Sequence, residues 1–290
     1  PTGKVLDTAV VYPTIKPRAE EAARVVKRLI RNYAVDVVAI GNGTASRESE
    51  AFIAGLLKQI EKPCKYIIVS EAGASIYSAS QLAAEEFPDF DVMQRSAVSI
   101  ARRLQDPLAE LVKIDPKGIG IGQYQHDMKQ ARLDEALGGV VESCVNAVGV
   151  DINTASYSLL SYIAGINQTA AKNIVKYREE NGAFATRGQV TKVPRIGAKA
   201  FQQCAGFLRV PGGREALDNT GVHPESYDCA RRLLSMFGYS EADIANGGLT
   251  GLRQKVVRKG MQSVCETLEV GEPTLADIIT ELEKPGRDIR

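Results

Sequence analysis

The first part of the chain alternates between apolar runs and segments with helical periodicity. Apolar runs over 35–40 and 65–70 predict buried strands, and a run over 4–12 predicts a further strand. Between and after these runs, apolar residues recur at helical spacing, which predicts helices over 18–32, 52–60, 75–86 and 95–111, the last interrupted by Pro107. Alternating strands and helices are typical of an α/β layer domain.

Beyond residue 120 the pattern changes to helices punctuated by glycine. Residues 121–150 are predicted to form a linker and a connecting helix. Residues 151–212 are predicted to form a third segment of short helices, with a boundary near Pro211-Gly212-Gly213. Residues 213–290 then predict a small helical domain. The predicted domains are therefore 1–120, 121–150, 151–212 and 213–290, an α/β domain followed by helical ones.

Charge is distributed unevenly along the chain, although its net value is only +1. Residues 151–213 contain eight Lys and Arg against three Asp and Glu, a net charge of +5, whereas residues 1–150 sum to −1 and residues 214–290 to −3. A net excess of positive charge concentrated in one segment is typical of a phosphate-binding module. A solvated helical surface with a chance excess of lysine and arginine would have the same composition.

Composition narrows the class of protein. The chain is 44% hydrophobic and 24% charged, has no apolar run long enough to cross a membrane, and has no signal-peptide pattern. Its five scattered cysteines form no C-x-x-C pair and it has two histidines, which argues against a zinc site. These features predict a cytoplasmic protein with reduced thiols and with no metal, cofactor or membrane partner.

A short unit occurs twice inside the basic segment. The pattern apolar-x-x-apolar-small recurs as 163–167 and 193–197, and each copy precedes a predicted helix. Glycine in such a turn allows a positive φ and a close backbone approach. The following helix then directs free N–H groups at an anion, and Lys172 and Lys199 lie near the first turns of those helices.

The two units resemble a tandem helix-hairpin-helix module, particularly that of ComEA-type DNA receptors, on the runs 151–156 and 177–184. That resemblance implies backbone contacts that read no base sequence. Such hairpins usually carry two glycines, but Asn167 occupies the second place of the first hairpin and Arg195 the first place of the second. Asparagine tolerates left-handed geometry, so the turn is expected to survive with Asn167, and either hairpin could have a structural role only. The candidate nucleic-acid-binding residues are Gly165, Asn167, Lys172, Arg195, Gly197 and Lys199.

Longer runs on both sides of the module extend the resemblance. The runs 69–80, 95–108, 122–127, 217–220 and 222–227 are similar to the Tex family of transcription accessory proteins, and the similarity covers essentially the whole chain. It implies a YqgF-type RNase H-like domain over 1–120, then the tandem helix-hairpin-helix, then a second small helical domain. The implied ligand is the backbone of RNA or DNA. The implied protein partners are RNA polymerase or ribosome-associated machinery.

The RNase H-like resemblance raises the question of nuclease activity, which needs a cluster of carboxylates around divalent metal ions. Glu71 matches the second acid of such enzymes. Arg95 and Ser96 stand where the third is expected, and Asp91 and Asp106 are displaced from that place. The sequence therefore favours a non-catalytic nucleic-acid-binding core. The alternatives are a metal-dependent, resolvase-like nuclease and a protein-interaction scaffold on the transcription machinery.

The resemblance also bears on the start of the chain. It places residues 4–12 at an outer strand, separated from the strands at 35–40 and 65–70 by a central strand that this sequence lacks. An unfilled gap would leave backbone N–H and C=O groups unpaired. We therefore expect either that another segment fills the gap or that residues 1–17 are displaced or swapped between molecules.

Some side chains have simpler expected roles. Asn153 is expected to cap the next helix, and His223 before Pro224 is expected at a helix start. Tyr177 and Phe184 are expected to pack in the core rather than stack on bases.

Overall fold

The computed structural model describes residues 4–60, 63–245 and 249–283, which fall into two compact units divided between residues 130 and 131. The elements of the first unit are α1 (Lys16–Asn32), β1 (Val37–Gly41), α2 (Ser46–Leu57), β2 (Lys65–Val69), α3 (Ala74–Ser78), α4 (Gln81–Glu86), α5 (Val92–Gln105) and α6 (Pro107–Leu111). Helix α7 (Gln130–Val148) begins at the boundary.

In its described residues, the second unit consists of helices and two very short strands. Its elements after α7 are β3 (Val150–Asp151), α8 (Tyr157–Leu160), α9 (Gln168–Asn181), α10 (Ala198–Cys204), β4 (Leu208–Arg209), α11 (Tyr227–Met236), α12 (Glu241–Ala245), α13 (Leu252–Lys259), α14 (Met261–Leu268) and α15 (Glu272–Glu283). The predicted class, an α/β domain followed by helical domains, is confirmed. The structure describes this last helical domain up to residue 283.

In the first unit, β1 and β2 pair in parallel from Val37 opposite Lys65 to Gly41 opposite Val69. Side chains on β2 are substantially exposed, with Ile67 at 43% and Ile68 at 40%. A parallel sheet normally has both faces covered, so this pair is an incompletely covered sheet within the described residues.

The predicted strand over 4–12 is not formed. These residues have no regular secondary structure, and Leu6 and Val10 are exposed. A strand is stable only beside a hydrogen-bonding partner, and neither described strand of this unit pairs with the segment. The segment is instead held by side chains, with Tyr33 donating to Asp7 at 3.2 Å and Gln94 to Thr8 at 3.4 Å. This agrees with the displaced alternative for residues 4–17; residues 1–3 lie outside the described residues.

The break predicted at Pro107 has a clear cause. Asp106 ends α5 and caps α6, its side chain accepting from the Ala109 N–H at 3.1 Å, and proline suits the first position of a helix because it needs no N–H there. The stretch predicted as one helix over 75–86 is also divided, because Ser80 takes an extended conformation and caps α4.

A buried ion cluster holds the helices of the first unit together. Lys113 lies 3.0 Å from a carboxylate oxygen of Glu86 and 2.9 Å from one of Glu110, and Tyr77 donates its hydroxyl to Glu86. Burial raises the pKa of Tyr77, so it stays protonated as a donor. The cluster ties the helix pair α3 and α4 to α6 and the turn after it.

Candidate nucleic-acid interface

The two repeated units form the two turns of a helix-hairpin-helix pair. The first hairpin (163–167) joins α8 to α9, and the second hairpin (193–197) joins a 3₁₀ turn at Arg187–Lys192 to α10. The apolar positions of both turns are buried and anchor them in the core; they are Ile163, Ile166, Val193 and Ile196. Between these anchors, Gly165, Pro194 and Arg195 are exposed.

Backbone angles show how the two hairpins correspond. Gly165 has φ +83° and Arg195 has φ +73°, so the first place of each hairpin is left-handed. Asn167 (φ −83°) and Gly197 (φ −85°) both have extended backbone and begin the next helix as N-caps. Asn167 therefore does not adopt the left-handed geometry that asparagine tolerates. The residue that carries the strain is Arg195, because it stands where the first hairpin has glycine.

The hairpins pack reciprocally on each other's second helix. A Cβ added to Gly165 would lie 2.8 Å from Cβ of Gln203 and 3.1 Å from the carbonyl oxygen of Ala200, both on α10. Conversely, Asn173 of α9 donates to the carbonyl oxygen of Pro194 in the second hairpin at 2.9 Å. Glycine is therefore required at position 165 both for its positive φ and because α10 lies too close for a side chain.

Because Gly165 and Arg195 are equivalent positions occupied by different residues, substitutions at the two should change stability in opposite directions. Arg195→Gly should raise the free energy of unfolding by about 0.5–1 kcal/mol, because it relieves left-handed strain. Gly165→Ala should lower it by about 2–4 kcal/mol, because strain and overlap with α10 act together. Urea unfolding of both variants checks this, with Gly188→Ala as a control, since a Cβ there meets nothing within 4 Å. If Arg195→Gly and Gly165→Ala changed the free energy of unfolding equally, the assigned correspondence between the two hairpins would be contradicted.

The two hairpins differ in how the next helix is capped. In the first, the side chain of Asn167 accepts from the Ala170 N–H at 2.9 Å and so satisfies one of the N–H groups that could face a phosphate. In the second, Gly197 has no side chain to do so, and a Cβ there would meet nothing within 4 Å. The second hairpin is therefore the more open of the two to an anion.

Acidic and amide groups also flank the first hairpin. Asn146 of α7 donates to the Tyr162 carbonyl at 3.1 Å and accepts from the Ala164 N–H at 3.2 Å. An open depression of about 540 Å³ lies between α7 and this hairpin, and Glu142 is among its lining residues. A carboxylate beside the first hairpin disfavours a phosphate there.

The six candidate residues all lie exposed on the two hairpins and the helices that follow them. Lys172 has its ammonium group 5.1 Å from the centre of the Tyr157 ring, a cation–π contact that fixes the position of its charge. Arg195 and Lys199 flank the uncapped Gly197 in sequence. The structure thus places two cations at the second hairpin and one beside the first.

Hydrogen bonds close the module at its ends. β3 and β4 pair in parallel, and Asn153 both accepts from the Phe184 N–H at 2.8 Å and donates to its carbonyl at 3.0 Å. The predicted capping role of Asn153 is therefore wrong, and Ser156 caps α8 instead. Phe184 is buried and stacks on Tyr177 with ring centres 5.3 Å apart, which agrees with the expected packing role.

Arg187 joins the module to the helical domain that follows. Its side chain is 1% exposed and donates to the carbonyl oxygens of Val222 at 2.8 Å and Thr220 at 2.5 Å, while its own N–H donates to Asp218 at 2.6 Å. We name Arg187 and the loop 217–222 the arginine clasp. In the same loop region, His223 begins a 3₁₀ turn and accepts from the Glu225 N–H, as expected of a helix-start residue.

The carboxylates considered for nuclease chemistry are found in other roles in the first unit. The Glu71 carboxylate lies over Gly41 and Gly43, where any Cβ would overlap it. Asp91 and Asp106 cap α5 and α6. Arg103 donates to the carbonyl oxygens of Ser70 and Ala72, both at 2.8 Å. Burial lowers the pKa of Arg103, and the charges of Glu110 and Glu71 oppose that shift.

Comparison with known proteins finds three family models that match successive parts of the chain. A family model described as a Tex protein YqgF-like domain matches residues 1–105, a helix-hairpin-helix motif matches residues 145–209, and an HHH domain matches residues 215–290. The chain belongs to the Tex family. Its hairpins are therefore the helix-hairpin-helix elements of a Tex protein.

Relatives match all or nearly all of this chain. It is 54% identical over 290 residues to the transcriptional accessory protein Tex of Neisseria gonorrhoeae and 53% identical over 290 residues to the uncharacterized protein YdcI of Bacillus subtilis. It is 42% identical over 340 residues to the human S1 RNA-binding domain-containing protein 1, with 98% of this chain covered. The chain spans 37%, 40% and 34% of the lengths of these relatives, respectively. No helix among the described residues is long and apolar enough to cross a membrane.

Proposed function

We propose that this Tex-family chain binds the backbone of RNA or DNA without sequence preference, chiefly through the second hairpin. The observation that carries the proposal is the exposed group Arg195, Gly197 and Lys199, in which two cations flank a helix start that no side chain caps. Backbone N–H groups and basic side chains of this kind contact phosphate rather than base edges. Binding of this type tolerates any sequence.

The surrounding charge supports the same ligand. The basic segment 151–213 has a net charge of +5 within a chain of net charge +1. Of its four arginines, Arg187 and Arg209 are buried and Arg178 is partly buried, so its surface charge is carried mainly by the other five basic residues, which include all three cations of the hairpins. A positive surface of this size attracts a polyanion at long range.

A transcription-accessory role follows from the family and is proposed for this chain in the cytoplasm, where its five free cysteines would remain reduced. Contacts with RNA polymerase or ribosome-associated machinery belong to the same proposal. They would make the chain a scaffold as well as a nucleic-acid-binding core.

We further propose that the chain has no nuclease activity of its own. The supporting observation is the arrangement around Glu71, whose carboxylate lies against the Gly41–Gly43 turn, while the neighbouring cation is Arg103. Among the described residues, no group of three or more His, Cys, Asp or Glu side chains is arranged to hold a metal ion. We expect junctions, duplexes and single strands to stay intact with Mg²⁺ or Mn²⁺. Cleavage that Glu71→Gln abolishes would restore the resolvase-like alternative.

A salt titration tests the binding proposal. The 290-residue chain is titrated with single-stranded RNA, single-stranded DNA and duplex DNA, each in two unrelated sequences, at several salt concentrations. We expect equal affinities for the two sequences and a linear fall of log affinity with log salt. Affinity that does not change with salt, or that differs strongly between the sequences, would contradict backbone recognition.

A further inference from the structure

A second basic surface lies in the acidic part of the chain, on α13. Residues 214–290 contain ten Lys and Arg and 13 Asp and Glu, yet α13 alone contributes four basic residues and no acidic one in eight positions. The remainder of that segment therefore has six basic and 13 acidic residues, a net charge of −7. Random placement of charge on a solvated surface does not favour such a separation.

Because of the way α13 packs, its basic residues lie on an exposed surface. Leu252 and Val256 are buried in the core of the C-terminal helical domain, which leaves the other faces of α13 to solvent. Arg253 is used within the fold, because it donates to the Thr280 hydroxyl at 2.7 Å and pairs with Glu283 at 3.7 Å. Lys255, Arg258 and Lys259 form no ion pair with any residue in the ranges 4–60, 63–245 and 249–283. We name these three residues the α13 patch.

Two aromatic rings hold the lysines of the patch in place. The Lys255 ammonium group lies 4.1 Å from the ring centre of Tyr239, and that of Lys259 lies 5.6 Å from the ring centre of Phe237. A ring face stabilises a cation without neutralising it, so both charges stay available to an anion. Favourable interaction with the helix C-terminus would explain Arg258 and Lys259, but it explains neither Lys255 nor the aromatic supports.

We propose that the α13 patch is a second phosphate-backbone contact, which binds the same strand as the second hairpin when the nucleic acid is long enough to reach both. The inference rests on the proposed function, which supplies the polyanion. Held cations without carboxylate partners match a chain of phosphates better than a single anion, because three charges act together. Exposed Val257 lies among them and offers no polar contact that would select a base.

The test compares a short RNA of about 8 nucleotides with one of about 40 nucleotides. The variant K255E/R258E/K259E should bind the long RNA at least about tenfold more weakly, with a salt slope lower by about 2, and should bind the short RNA as the unchanged protein does. K255Q/R258Q/K259Q should give an intermediate loss. The matched control R24E/R28E/R31E changes three exposed arginines of α1 by the same charge and should retain affinity for both RNAs.

Other outcomes would overturn either this inference alone or the proposed function with it. Patch variants that bind the long RNA as tightly as the control overturn this inference and leave the second hairpin as proposed. Polyglutamate is titrated in parallel as an acidic polypeptide; patch variants that lose binding to polyglutamate but keep their affinity for RNA would also overturn the inference, in favour of an acidic protein partner. If the unchanged protein binds neither RNA, the proposed function fails and the inference fails with it. The melting temperature of each variant is measured as a control, to check that the variant is folded.

Discussion

Replacing Arg187 by methionine should lower the free energy of unfolding of the second unit by about 3–5 kcal/mol. The side chain is fully enclosed, and its guanidinium satisfies carbonyl oxygens of Leu217, Asp218, Thr220 and Val222. Methionine fills the volume but donates nothing, so these oxygens and the 3%-exposed Asp218 carboxylate would be left buried without their charged partner. For a unit of this size the midpoint of thermal unfolding should fall by about 10 °C.

Two further variants separate the charge of Arg187 from its geometry. Arg187→Lys keeps a positive charge but has one donor centre, so it should recover only part of the loss. Arg187→Met combined with Asp218→Asn should cost less than the sum of the single changes, because the second removes the carboxylate that the first leaves unpaired. Arg214→Met, at an exposed position, is the control. If Arg187→Met behaved like that control, the arginine clasp would have no role in stability.

Local pattern was sufficient to predict most of the helices, and the reason is visible in α9. A helix was predicted after the first repeated unit, and α9 runs from Gln168 to Asn181, with apolar positions at helical spacing and with Gly182 directly after it. Gly182 has φ +84°, a conformation that ends a helix and that glycine adopts without strain. All the information needed lies within the helix and its flanks.

The arginine clasp could not be predicted in this way. Arg187 is one of eight basic residues in a segment that was interpreted as a charged surface, and its partners lie about thirty residues away in sequence. Whether an arginine is exposed or enclosed depends on which loop packs against it, and periodicity contains no information about that. The error over residues 4–12 has the same origin, because strand formation depends on a partner outside the segment.

The candidate site was predicted by position but not by conformation. The repeated unit located both hairpins, yet the sequence alone did not indicate which of their residues would be left-handed. The structure shows Asn167 as an ordinary cap and Arg195 as left-handed. Aligning the two hairpins on their apolar residues pairs Gly165 with Arg195, and this pairing was the signal that could have predicted the strain at Arg195.

Reversing Lys172 and Lys199 together to glutamate should weaken nucleic-acid binding by about 10–100-fold at moderate salt and lower the salt slope by about 1.5–2. Each lysine is exposed on the helix that follows a hairpin, so a phosphate contact would be replaced by repulsion. Binding is measured by anisotropy with one RNA and one duplex DNA. Unchanged affinity in the double variant would rule out the hairpins as the binding surface.

The two single reversals should differ, and the difference tests the assigned roles of the hairpins. Lys199→Glu should account for most of the loss, because Lys199 stands two residues after the uncapped Gly197 and near Arg195 in sequence. Lys172→Glu should cost less, because Asn167 already caps α9, Glu142 lines the adjacent depression and the lysine contacts Tyr157. A control, Lys176→Glu, changes an exposed lysine of α9 one turn further from the hairpin. Equal losses from Lys172→Glu and Lys199→Glu would mean that both hairpins bind phosphate, and a larger loss from Lys172→Glu would reverse the assignment.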